Sequence, residues 1–124
     1  MTNDYTFKIC ELIKNQNGIT FYKLFINDHC QFDEFLDEVN RVQITRKKFS
    51  DLISRMGCFG DYMMPQKYLR QIKEVKEKDI YEFKKDDIRI YVKLEKPNVF
   101  IILGGFKNSQ KKDIQQVKKI RREL

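Results

Sequence analysis

IYEFKKDDIRIYVKLEKPNVFIILGGFKNSQKKDIQQVKKI, residues 80–120, holds three strand-like runs and one helix-like run, and the fold turns on reading it. Ile80–Lys85 and Ile88–Leu94 are rich in β-branched and aromatic residues, and Asp86-Asp87 between them suits a tight turn. Lys96-Pro97-Asn98 is a second turn and leads into Val99–Leu103. That run, VFIIL, has no polar side chain, so it predicts a strand at the centre of a sheet with cover on both faces. Gly104-Gly105 is expected to break it. Beyond Ser109, a candidate N-cap, Ile114, Val117, Ile120 and Leu124 share one side of a helix. Lys111, Lys112, Lys118, Lys119 and Arg122 take the other sides.

Upstream, Tyr68–Val75 fits either a short helix or an extended piece. Gly57–Gln66 reads as an irregular connector, in which Tyr62, Met63 and Met64 either pack under the loop or form a Met-aromatic surface. Before it, Phe32, Phe35, Leu36 and Val39, then Phe49, Leu52, Ile53 and Met56, repeat the spacing of an amphipathic helix. Asp28 and Thr45 are candidate N-caps of two helices, the first running to Arg41, and Gly57 offers the second a left-handed C-terminus. Two such short helices are expected to lie antiparallel. At the start, Tyr5–Ile13 and Ile19–Ile26 flank Lys14–Gly18 and predict a hairpin. The fold class that results is α+β: an N-terminal β-hairpin, a two-helix hairpin, an antiparallel meander sheet and a C-terminal helix, in one domain spanning 1–124.

The charge is lopsided. Of a net +7, residues 1–64 carry −1 and residues 65–124 carry +8. A basic field confined to one half suits a polyanionic partner, because Lys and Arg that meet phosphates release condensed counterions; a solvated lysine surface is the alternative. Cys10, Cys30 and Cys58 are odd in number and widely spaced, which predicts reduced thiols. With no apolar run of membrane-spanning length and no secretory signal, the expected location is the cytoplasm. His29 stands far in sequence from the basic half and reads as a cap or surface residue.

The 80–120 segment resembles the RelE/ParE superfamily of bacterial toxins, including its HigB-like and phage-derived branches. Tyr81-Glu82 opens the first strand, and Arg89 stands two residues before Tyr91 in the next. The apolar strand ends in Gly105-Phe106-Lys107, and a Lys- and Gln-rich stretch starts the last helix. The first 60 residues match by order of elements, with the N-terminal hairpin as an elaboration.

The resemblance implies a toxin of a type II toxin-antitoxin system that cuts messenger RNA on the ribosome, using the RNA's own 2′-hydroxyl, with no metal and no cofactor. Its partner would be a cognate antitoxin, which can be a helix-turn-helix protein. The chemistry needs a proton acceptor, cations for the charged transition state and a donor for the leaving oxygen. Matched position by position, Arg89 would face the scissile phosphate; an ion pair with Glu82 or Asp86 across the hairpin is the alternative. Tyr91 is a candidate proton donor or acceptor or else a packing residue, and Lys107 a candidate for the reaction centre. Lys84, Lys85, Lys111 and Lys112 are candidate RNA contacts. The terminal helix has no Tyr or His, so an acid–base group of the RelE pattern is missing, and Tyr91 or a lysine would take its place. A non-catalytic protein of the same fold, directed at gyrase, at RNA by occlusion or at another mobile-element partner, is the competing reading.

Overall fold

The computed structural model describes residues 3–60 and 64–124. Tyr62 and Met63 therefore lie outside the described residues, while Met64 packs against the core. In chain order the elements are β1 (Tyr5–Ile9), β2 (Thr20–Ile26), α1 (Gln31–Val39), α2 (Gln43–Gly57), β3 (Leu69–Gln71), β4 (Ile80–Lys85), β5 (Ile88–Glu95), β6 (Asn98–Phe106), a 3-10 turn at Lys107–Ser109 and α3 (Gln110–Arg121).

Hairpin and meander form one mixed sheet in the order β1-β2-β6-β5-β4-β3. All neighbours are antiparallel except β2 and β6, whose parallel register pairs Phe21 with Val99 and Tyr22 with Phe100. Within Tyr68–Val75 only Leu69–Gln71 is strand, the short edge strand β3, with Arg70 opposite Glu82. The apolar run in β6 is interior to the sheet, as its composition predicts.

Side-chain alternation gives the sheet two cores. On one face Phe21, Phe83, Ile88, Ile90, Val92, Val99 and Ile101 bury against α1 and α2 through Phe32, Phe35, Phe49, Leu52 and Met56. On the other, Leu24, Ile80, Tyr91, Ile102 and Leu103 bury against Ile114, Val117 and Ile120 of α3. Leu124 is partly buried there, as its spacing predicts.

Several local expectations are corrected. β1 stops at Ile9, because the chain turns at Cys10 to drop Ile13 into the first core. Asp28 does not cap α1: Asn27 and Asp28 take positive φ (51° and 65°) in a tight turn that joins Ile26 and His29 by two backbone hydrogen bonds, and Cys30 precedes the helix. Thr45 sits inside α2, since the Arg46 N–H already donates to the Val42 carbonyl. Gly57 is the last residue of α2 and serves close approach, a Cβ there lying 3.0 Å from the Lys14 carbonyl. Gly104 and Gly105 do not break β6, which runs on to Phe106. A Cβ on Gly104 would collide with the Phe35 ring, and one on Gly105 with the Asp113 carboxylate. Among the described residues no helix is long and apolar enough to cross a membrane.

Candidate nucleic-acid interface

Glu82, Arg89 and Tyr91 alternate onto the sheet face that α3 covers. Arg70 opposes Glu82 on β3, Tyr91 opposes it on β5, and Arg89 opposes Lys84 and Gly105. The start of α3 lies over this patch, with Gln110 Nε2 donating to Glu82 Oε1 at 2.9 Å.

Glu82 is the hub. It is 1% exposed and accepts from Arg70 Nε at 3.0 Å as well as from Gln110, so β3, β4 and α3 are tied through one carboxylate. Arg89 is 7% exposed. Its Nη1 donates to the Asp86 and Ile88 carbonyls at 2.6 and 2.9 Å, and its Nε lies 3.8 Å from Glu82 Oε2 without a hydrogen bond. The guanidinium thus closes the β4–β5 turn, where Asp86 takes a φ of 54°, and faces a buried carboxylate. The phosphate-facing placement is corrected, and the ion-pair alternative describes Arg89 as it stands.

Tyr91 is fully buried, and among the described residues its hydroxyl has no hydrogen-bond partner. Burial, with the nearby Glu82 and Asp113 carboxylates, pushes its pKa well above the ordinary tyrosine value. A sealed phenol held neutral is a core ring, so the proton-transfer expectation finds no geometric support. Asp113, also buried, accepts from Ser109 Oγ at 2.7 Å, and its pKa is raised by burial.

The lysines divide. Lys85 faces α2, 3.3 Å from Asp51, and is separated from the others by the sheet. Lys84 is half-buried on the α3 face. Lys107, Lys111 and Lys112 are exposed at the 3-10 turn and the first turn of α3, and the Lys107 N–H donates to the Asp87 carbonyl at 2.7 Å, which pins that turn to the β4–β5 hairpin. Among the described residues none of these four lysines makes an ion pair. Lysines at the positive end of a helix run against its dipole, and only Asp113 in the first turn opposes them. A bound polyanion would relieve that repulsion.

His29 lies at the surface, with Nε2 2.6 Å from Glu34 Oε1. Among the described residues no group of three or more His, Cys, Asp or Glu could hold a metal ion. Arg70 and Gln110, which complete the Glu82 cluster, carry no sequence signal of their own, because their roles depend on the β3–β4 register and on the docking of α3. In comparisons with known proteins, no family model, no curated protein and no solved structure matches this chain.

Proposed function

We propose that this chain is a RelE/ParE-type toxin that acts by occupying RNA, with Lys84, Lys107, Lys111 and Lys112 as its phosphate contacts and Arg89 as an internal strut. The observation that carries this reading is the set of lysines at the positive end of α3 that make no ion pair among the described residues, beside an arginine turned inward onto the Asp86 and Ile88 carbonyls and Glu82. The element order and the residues of the 80–120 segment support the superfamily assignment. Messenger RNA on the ribosome is the target this reading calls for, and a cognate antitoxin, such as a helix-turn-helix protein, the partner that would mask the lysines.

Induced expression in a bacterium, followed by growth measurement and primer extension on translated messages, tests it. Growth arrest with intact messages is expected, and Arg89→Ala at equal protein level should arrest growth as the wild type does. Cuts in codon register that disappear in Arg89→Ala would overturn the occlusion reading and restore a nuclease. Arrest with a DNA-damage response would redirect the target to gyrase.

A further inference from the structure

Beyond the footprint of α3 the same sheet face carries a row of side chains that belongs to neither core. The register places Ile9, Tyr22, Phe100 and Lys93 side by side on β1, β2, β6 and β5. Tyr22 and Phe100 are half-buried and stack on each other, with ring centroids 5.2 Å apart and planes 22° from parallel. Phe7, which packs at the margin of the α3 core, abuts them from β1, its ring centroid 4.7 Å from that of Phe100. Ile9 is 60% exposed, and Lys93 Nζ, 2.9 Å from Glu95 Oε2, hangs 5.6 Å from the Phe100 ring.

Each of these rings is only partly buried and Ile9 beside them is exposed, so apolar surface here meets water in one patch, an arrangement that often marks a partner's contact. The charge around this patch selects the partner. From Gln110 to Leu124, α3 and its tail carry six cations (Lys111, Lys112, Lys118, Lys119, Arg121 and Arg122) against two acids, Asp113 and Glu123, and of the six Arg121 is paired with Asp79 at 3.0 Å. A basic helix beside an aromatic sheet surface is the pairing that single-stranded nucleic acid requires: phosphates follow the cations while unpaired bases lie flat on the rings. A twelve-residue helix is about 18 Å long, so it can guide a strand from the lysines at its start toward the rings beyond its end.

We infer that Phe7, Tyr22 and Phe100 form a base-stacking platform for single-stranded RNA, with Lys93 at its rim. The inference rests on the RNA-binding reading above and adds the surface that holds the bases.

Binding by the full chain of a short oligouridylate and of an abasic ribose-phosphate oligomer of equal length, followed by fluorescence anisotropy, tests it. Wild type should prefer the base-bearing strand. Tyr22→Leu and Phe100→Leu should each weaken oligouridylate binding by on the order of tenfold, leave abasic binding unchanged and keep the salt slope, since no phosphate contact is lost. Tyr22→Phe retains the ring and should bind as wild type. Should a Leu variant fail to fold, ring-proton NMR shifts of Tyr22 and Phe100 in the wild type on adding oligouridylate, with none at buried Phe32, carry the same information. Equal affinity for the two oligomers, or wild-type binding by the Leu variants, overturns the platform while RNA binding stands. No binding of either oligomer overturns both. Self-association that Tyr22→Leu abolishes, with oligouridylate affinity unchanged, assigns the patch to a second copy of the chain and overturns the platform.

Discussion

Gln31 and Gly104 are joined by two hydrogen bonds, the Gly104 N–H donating to Gln31 Oε1 and Gln31 Nε2 donating to the Gly104 carbonyl, each at 2.9 Å. The pairing of β2 with β6 ends at Ile101, and this side-chain amide satisfies the Gly104 backbone groups further along β6. Gln31→Ala leaves a partly buried N–H and C=O without those partners and should cost about 1–3 kcal/mol in urea unfolding. Gln31→Glu, which keeps the acceptor and loses the donor, should also destabilise, through repulsion of the carbonyl.

The Glu82 cluster predicts an asymmetry between its members. Glu82→Ala strands Arg89 in the interior and should cost about 3–5 kcal/mol by chemical denaturation. In the Glu82→Leu, Arg89→Met double variant no unpaired charge remains at Arg89, and most of the loss should return. Equal stability of Glu82→Ala and wild type would contradict the hub.

Tyr91→Phe removes a buried hydroxyl that bonds to nothing among the described residues. Stability should hold or rise, by up to about 1–3 kcal/mol, since an unsatisfied polar group is deleted. Growth arrest by this variant should match the wild type; loss of arrest at unchanged stability would return Tyr91 to the chemistry.

Asp113 links stability to pH. Burial raises its pKa in the folded chain above the ordinary 3.8, with Glu38 adding to the shift and Ser109 and Lys112 opposing it. Proton uptake therefore favours folding: the contribution is fully present below the unfolded value and is lost as pH rises through the folded one. Asp113→Asn keeps an acceptor for Ser109 and should gain thermal stability over wild type as pH rises from about 4 to 7.

Thiol access separates the cysteines. Cys58 is exposed, whereas Cys10 and Cys30 are buried, and burial raises the pKa of both. Alkylation of the native protein, read by mass, should modify Cys58 alone, and all three once the chain is unfolded in urea.

What the sequence makes legible here is local. The helix stripes, the hairpin turn at Asp86-Asp87 and the interior place of Val99–Leu103 follow from short-range periodicity and turn chemistry. The parallel contact of β2 with β6 does not, because no turn or spacing marks a pairing between the two ends of a chain. Gly104-Gly105 misleads for the same reason: a breaker by composition, it is kept in the strand by Phe35 and Asp113, which arrive from elsewhere in the chain. At the site, the choice between a phosphate and an ion pair for Arg89 depends on the register that sets Glu82 and Arg70 together, which no local pattern encodes. The lysines at the start of α3 were legible as exposed cations, and their shared end of the sheet only through the Asp87–Lys107 and Glu82–Gln110 bonds.

The parallel β2–β6 pair also sets an order of events during synthesis. β2 leaves the ribosome with Phe21 and Leu24 needing cover, while its neighbour β6 follows only after α1, α2 and β3–β5 have been made. Until then the nascent hairpin has an open flank, and a lone hairpin is only marginally stable in water. Two growing chains on one message could join along that flank, so slower initiation or a holding chaperone should raise the yield of folded protein.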